Sequence, residues 1–155
     1  MAVKVIGTLL LISMSWFTTL LLAASPEVHD ASRQLYDRVM EEFKHGDYEA
    51  ALAGFRLFME LHRQSSLAPN AQYWIGECQY RLGRYTDALN SFDSVRSYPA
   101  NPKLAASAFK IGQTYSRLGE HQKARQMFDR VLEEYPNGAE AELARKALTV
   151  MSAQH

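Results

Sequence analysis

Apolar residues recur at helical spacing along most of the chain. In one stretch, Ala108, Ile111, Tyr115 and Leu118 are separated by three, four and three residues, which places them on one face of a helix. A second stripe follows with spacings of four, three and one, and it comprises Ala124, Phe128, Val131 and Leu132. Between the two stripes stands Gly119. The pattern predicts a pair of amphipathic helices, here called helix A and helix B, joined by a tight turn.

The same pair of helices occurs three times. The turn glycine recurs as Gly46, Gly83 and Gly119, which are 37 and 36 residues apart. An alanine and a phenylalanine of helix B recur in step with it, as Ala51, Ala88 and Ala124 and as Phe55, Phe92 and Phe128. Each turn glycine lies just past the predicted end of helix A, where a left-handed residue closes the last turn at little steric cost. A recurrence of this length predicts a solenoid of helical hairpins.

A second glycine lies inside helix A of two copies, as Gly76 and Gly112. Glycine within a helix costs about 1 kcal/mol relative to alanine, so packing must favour it. We therefore predict a close approach of helix B to these two sites. The predicted neighbours on helix B are small residues with an aromatic residue one turn further on, namely Ala88 and Ala124 with Phe92 and Phe128.

Proline punctuates the end of helix B at Pro99 and Pro136. The predicted fold is all-α: a right-handed solenoid of three helix-turn-helix repeats with a carboxy-terminal capping helix. The predicted boundaries are 32–65, 69–102 and 105–138 for the repeats, 139–151 for the capping helix and 152–155 for a tail. An amphipathic last helix suits a solenoid end, because it presents one polar face to water.

The amino terminus has a different pattern from the repeats. Lys4 precedes an uninterrupted uncharged and largely apolar stretch over residues 5–22, and two alanines and a serine follow it. This order predicts a signal peptide over residues 1–24, or a signal anchor long enough to span a bilayer, and then a short linker at 25–31. Both alternatives place the repeats on the far side of a membrane.

Composition and motifs argue against several functional classes. The chain has 17 basic and 17 acidic residues, so no net field favours nucleic acid. Its single cysteine, Cys78, excludes an internal disulfide. The sequence contains no H-E-x-x-H, G-x-S-x-G or phosphate-binding glycine motif, and the five histidines lack ligand spacing. We therefore predict a protein that is not an enzyme and that needs no cofactor or metal.

The repeated residues resemble the tetratricopeptide repeat, whose pattern is W-x2-L-G-x2-Y, then A-x3-F, then P. The third copy matches it at Ile111, Gly112, Tyr115, Ala124, Phe128 and Pro136. The first copy departs from the pattern, because Val39 stands where the internal glycine is expected. The resemblance implies that the A helices line a concave face that binds a protein or a peptide.

A closer resemblance covers residues 34–148. The runs "LAPNAQYWIGECQYRLGRYTDALNSFDSV" and "EEYPNGAEAELARKAL" are similar to the carboxy-terminal repeat domain of the periplasmic protein of the Tol-Pal system, the YbgF/CpoB family. In that family the domain is an interaction module that links outer-membrane constriction to cell-wall synthesis during division. The resemblance implies a periplasmic location and Tol-Pal or peptidoglycan-synthesis components as partners.

The repeat register predicts which side chains of the A helices face the groove. The candidate partner-binding residues are Tyr36, Met40, Phe43, Asn70, Tyr73, Glu77, Tyr80, Arg81, Phe109, Gln113 and Arg117. An aromatic series of Tyr36, Tyr73 and Phe109 suits apolar peptide anchors, with packing between repeats as the alternative. A basic series is formed by Lys44, Arg81 and Arg117. These cations either contact a partner or form a solvated edge near the turns.

These observations predict an exported, non-catalytic adaptor of the bacterial cell envelope that binds a protein or peptide partner in its groove. The alternative is a membrane-anchored tetratricopeptide subunit of an envelope assembly or secretion complex. In either case contact with the membrane is expected only through an uncleaved amino-terminal segment, and no contact with nucleic acid is expected.

Overall fold

The computed structural model describes residues 26–98 and 101–153, and the predicted signal or anchor lies outside them. This part of the chain contains seven α-helices and no strand. The helices are α1 (Pro26–Lys44), α2 (Tyr48–Leu61), α3 (Ala68–Arg81), α4 (Tyr85–Ser94), α5 (Leu104–Arg117), α6 (His121–Glu134) and α7 (Ala139–Ser152), with a 3-10 turn at Val95–Ser97 after α4. Helix α1 begins at Pro26, so the segment predicted as a linker is helical from that residue onward. None of the helices in the described ranges is long and apolar enough to cross a bilayer.

The helices alternate as predicted, with α1, α3 and α5 as the A helices and α2, α4 and α6 as the B helices. Each helix packs against the next, and α7 contacts both α6 and α5. Each repeat has its own core, centred on a B-helix phenylalanine that is buried: Phe55, Phe92 or Phe128. The third core includes Ala144 of α7, so the last helix covers the end of the solenoid. The predicted all-α repeat architecture is confirmed.

The three turn glycines have left-handed backbones, with φ of 85° at Gly46, 75° at Gly83 and 76° at Gly119. This confirms the role predicted from their spacing. The start of helix B differs between repeats, because only Asp47 caps it with a side chain, accepting a hydrogen bond from the amide of Ala50.

The two internal glycines lie against aromatic rings. A Cβ added at Gly76 would lie 2.6 Å from Cε1 of Phe92, and one added at Gly112 would lie 2.6 Å from Cε1 of Phe128. The predicted close approach of helix B is confirmed, but the nearest neighbour is the phenylalanine ring and not the predicted alanine. An edge-on ring needs the space of a missing Cβ, because its atoms reach further from helix B than a methyl group does.

In the first repeat helices A and B also approach closely, but the glycine lies on helix B and the larger side chain on helix A. Val39 occupies the internal glycine position of α1, and Gly54 lies opposite it on α2. A Cβ at Gly54 would lie 2.5 Å from Cγ2 of Val39. The glycine has thus moved from helix A to helix B, and the close helical contact is retained.

Candidate functional site

Side chains join neighbouring A helices along one surface, called here the open face, which includes Phe43 of α1, Trp74 and Glu77 of α3 and Lys110 of α5. Between α1 and α3, the rings of Phe43 and Trp74 lie 4.8 Å apart between centroids. Between α3 and α5, the Nζ of Lys110 lies 2.7 Å from Oε1 of Glu77 and donates a hydrogen bond to its Oε2 at 3.0 Å. Both pairs of neighbouring A helices are thus bridged by side chains, and these two bridges are called here the floor of the open face.

The Glu77–Lys110 ion pair is largely shielded from water. The side chain of Glu77 is 5% exposed and that of Lys110 is 19% exposed. The Lys110 ammonium also lies 5.2 Å from the centroid of the Tyr80 ring. The hydroxyl of Tyr80 in turn accepts a hydrogen bond from Nε of Arg117 at 3.1 Å. These contacts form a polar network that connects α3 to α5.

Tyr73 lies next to this network. Burial raises the pKa of the Tyr73 hydroxyl, and the nearby carboxylates of Glu77 and Glu140 raise it further. Glu140 belongs to the first turn of α7, so the capping helix adds negative charge to the surroundings of Tyr73.

Lys103, which immediately precedes α5, extends over α3. Its Nζ lies 5.0 Å from the ring centroid of Tyr73 and 5.8 Å from that of Trp74. Since Trp74 also contacts Phe43 of α1, the lysine side chain crosses the open face of α3. The sequence analysis missed this residue, because it stands outside the predicted helix and its position depends on the path of the preceding connection.

The basic series proves to be heterogeneous. Arg81 lies over the ring of Tyr48 at 5.9 Å, and Arg117 lies over that of Tyr80 at 6.0 Å, so each arginine stacks on an aromatic residue of the preceding repeat. Lys44 instead forms an ion pair with Glu41 at 2.6 Å. Two members of the series therefore join repeats, and the third is engaged within its own helix.

The aromatic series is buried against the B helices. Tyr36 is 9% exposed, Tyr73 is 8% exposed and Phe109 is 7% exposed. Their ring partners are Phe55 and Phe58 for Tyr36, Phe92 for Tyr73 and Phe128 for Phe109, with centroids 5.5 to 5.8 Å apart. These contacts are within repeats, so most of each ring serves the core. A contribution of this series to partner binding stays a prediction.

Apart from Glu77, which is buried, the other predicted groove residues are less buried than this series. Met40, Phe43, Asn70, Tyr80 and Gln113 are half-buried, and Arg81 and Arg117 are exposed. The Oδ1 atom of Asn70 is shielded from solvent and has no hydrogen-bond partner in the described part of the chain. Together with Trp74, Lys103 and Lys110, these residues give the open face a mixed aromatic and cationic character. The residues that the structure describes hold no cluster of metal-ligating side chains.

Comparisons with known proteins support this architecture. A tetratricopeptide repeat model matches residues 67–136, which are the second and third repeats, and leaves out the degenerate first one. No curated protein matches the sequence.

Solved structures that resemble the chain include secretion chaperones and tetratricopeptide domains. The type III secretion translocator chaperone SycD of Yersinia enterocolitica is 20% identical over 79% of this chain and 89% of its own, with a TM-score of 0.66. PcrH in complex with the chaperone-binding region of PopD is 21% identical over 81% and 93%, with a TM-score of 0.68. The first tetratricopeptide domain of Spaghetti, bound to an HSP90 peptide, is 20% identical over 79% and 91%, with a TM-score of 0.64. The described part of this chain therefore has the tetratricopeptide-repeat fold, which is typical of non-catalytic protein-interaction modules.

Proposed function

We propose that the protein is a non-catalytic adaptor that binds a peptide segment of a partner protein along the open face of α1, α3 and α5. The observation that carries this proposal is the floor described above, where Phe43–Trp74 and Glu77–Lys110 bridge the two pairs of neighbouring A helices. A peptide laid across all three helices would contact aromatic and polar groups at both of these bridges.

The open face has the chemistry that peptide recognition needs. Half-buried aromatic and sulfur-containing side chains, among them Met40, Phe43 and Tyr80, offer apolar contact area at fixed positions. The Oδ1 atom of Asn70, shielded from solvent, has no hydrogen-bond partner in the described ranges. Related folds are known with peptides: SycD with a peptide of the translocator YopD, and Spaghetti with an HSP90 peptide. These complexes belong to those proteins, and they support a peptide as the partner of this one.

We further propose that the adaptor acts outside the inner membrane. The support is the sequence of residues 1–24 and the resemblance of residues 34–148 to the Tol-Pal periplasmic family. In this setting the partner belongs to the Tol-Pal system or to cell-wall synthesis. The alternative is a subunit of an envelope assembly or secretion complex anchored by residues 5–22. The mass of the mature protein distinguishes them, because loss of about 24 residues fits a cleaved signal, while the full mass in an alkali-washed membrane fits an anchor.

Photo-crosslinking from two glutamine positions tests whether peptides bind to the open face. A photoreactive amino acid replaces Gln113, which is half-buried on α5, or Gln126, which is exposed on the B helix α6. Each full-length variant is incubated with a random displayed-peptide library and irradiated. We expect peptides to be captured from position 113 and not from position 126. Equal capture from both positions, or capture from neither, would contradict the proposed function.

A further inference from the structure

The balance of basic and acidic residues on the open face differs from that of the whole chain. Across the whole chain basic and acidic residues balance at 17 each. On the open face of α3 and α5, however, Glu77 is the one acidic residue of an ion pair, and Lys110 neutralises it. The remaining cations are Arg81, Lys103 and Arg117, and none of them has a carboxylate within ion-pair distance among the described residues. Even with Asp37 of α1 and Glu140 of α7 counted against them, three cations stand against two carboxylates, so positive charge is in excess.

Each of these three cations is held by an aromatic ring. Lys103 lies over Tyr73, Arg117 over Tyr80 and Arg81 over Tyr48, at 5.0 to 6.0 Å from the ring centroids. Stacking on a ring leaves the N–H groups of a cation free to donate in other directions. It also restrains the side chain before a partner arrives, so less conformational freedom is lost on binding.

The donors of two of the cations are unused. Arg117 donates through Nε to the Tyr80 hydroxyl, which leaves both terminal nitrogens of its guanidinium without an acceptor in the described ranges. The Nζ of Lys103 likewise has no hydrogen-bond acceptor there and lies over the rings of Tyr73 and Trp74. A planar guanidinium with two free terminal nitrogens matches the two oxygens of a carboxylate. An ammonium beside aromatic rings suits a second carboxylate.

We infer that the open face selects an acidic peptide, with carboxylate side chains bound by Lys103 and Arg117. This inference rests on the proposed peptide-binding function and specifies the chemistry of the partner. Charge complementarity favours an acidic segment over a basic one, because a basic peptide would place like charges against three restrained cations. The half-buried rings between the cations accept apolar side chains of the same peptide.

Selection from a random displayed-peptide library tests the inference on the full-length protein. The selected peptides are sequenced, and the tightest is synthesised with a twin in which every Asp and Glu becomes Asn and Gln. We expect enrichment of Asp and Glu over Lys and Arg. We expect binding to weaken about 10-fold in the Lys103→Gln/Arg117→Gln variant, with a shallower dependence on salt concentration. The twin should bind both proteins with the same reduced affinity.

A matched control removes two cations elsewhere. Arg56→Gln/Lys123→Gln deletes the same charge from the B helices, and Lys123, like Arg117, lies over a tyrosine ring. This control should change the affinity less than 2-fold, by the weak effect of remote exposed charges, and circular dichroism verifies that both variants fold. If no peptide is selected on the open face, the proposed function fails. If peptides are selected but are not acidic, or if the two variants bind them equally, only the present inference fails.

Discussion

The ring of Phe128 fills the space that Gly112 leaves by lacking a side chain, with Cε1 2.6 Å from where a Cβ would stand. Phe128 is 2% exposed and packs on Phe109, so the ring has no room to withdraw. Alanine at position 112 would gain about 1 kcal/mol of helix propensity but would overpack the third core. We expect Gly112→Ala to lower the free energy of unfolding by about 1–3 kcal/mol in urea titration.

A second substitution separates overpacking from other causes. Phe128→Leu shortens the side chain opposite residue 112, so Gly112→Ala should cost much less in that background. A Gly112→Ala variant as stable as the natural protein would contradict the ring contact. Equal costs in the two backgrounds would also contradict it.

Alanine is also expected to be destabilising at Gly119, but for a different physical reason. Its φ is 76°, and a Cβ there would have no atom within 4 Å. Alanine would therefore be strained only by its backbone, and we expect Gly119→Ala to cost about 1–2 kcal/mol. Asparagine tolerates left-handed conformations better, so Gly119→Asn should cost less. Thermal unfolding of the two variants checks this order, and asparagine at least as destabilising as alanine would disprove it.

The helices and their turns could be predicted from the sequence because local rules determine them. The glycine at each turn has to adopt a left-handed conformation that other residues avoid, and the apolar stripes appear directly in residue spacing. All three turn glycines were confirmed in this way. The partner of an internal glycine is not a local property. Spacing alone does not distinguish Ala124 from Phe128 as the neighbour of Gly112, since both lie on the same face of α6.

The candidate site was predicted less completely. A residue such as Tyr73 lies between the open face and the B helix, and its ring orientation depends on the space beside Phe92. The sequence pattern does not reveal that orientation. Lys103 was missed because its role depends on how the chain enters α5. The contact between Val39 and Gly54 was not predicted, because in the first repeat the glycine lies on helix B, outside the repeated positions.

The exchange between Val39 and Gly54 predicts a strong coupling in the first repeat. Gly54→Ala alone places a Cβ 2.5 Å from Cγ2 of Val39, so we expect a loss of about 1–3 kcal/mol. In a Val39→Ala background both γ-methyl groups are gone, and the added Cβ should be tolerated. A double-mutant cycle in urea should therefore give a coupling energy of about 1 kcal/mol or more. Additive effects of the two substitutions would show that these residues do not compete for the same space.

Cys78 is predicted to be unreactive while the protein is folded. Burial raises the pKa of the Cys78 thiol to about 12, and the charge of Glu77 contributes to the rise. Native protein at pH 8 should therefore resist iodoacetamide, and protein in urea should be alkylated once, as measured by mass. Because the folded pKa exceeds the ordinary value of 9.0, the protonated thiol contributes stability below about pH 9 that is lost as pH rises toward 12. Alkylation of native protein at the rate of a free thiol would contradict the burial of this residue.

The last prediction concerns the Glu77–Lys110 ion pair, which joins the second repeat to the third and is poorly accessible to water. Lys110→Met would leave the Glu77 carboxylate, 5% exposed, without its cation, and we expect the free energy of unfolding to fall by about 2–4 kcal/mol. Adding Glu77→Gln removes the unpaired charge and should recover at least half of that loss. The glutamine also keeps a polar neighbour for Tyr73. Urea titration of the two single variants and the double variant measures this difference. If Lys110→Met is no less stable than the double variant, an unpaired Glu77 carboxylate costs nothing, and other contacts such as the packing of Ile111 in the second core and the Arg117–Tyr80 hydrogen bond must hold α3 and α5 together.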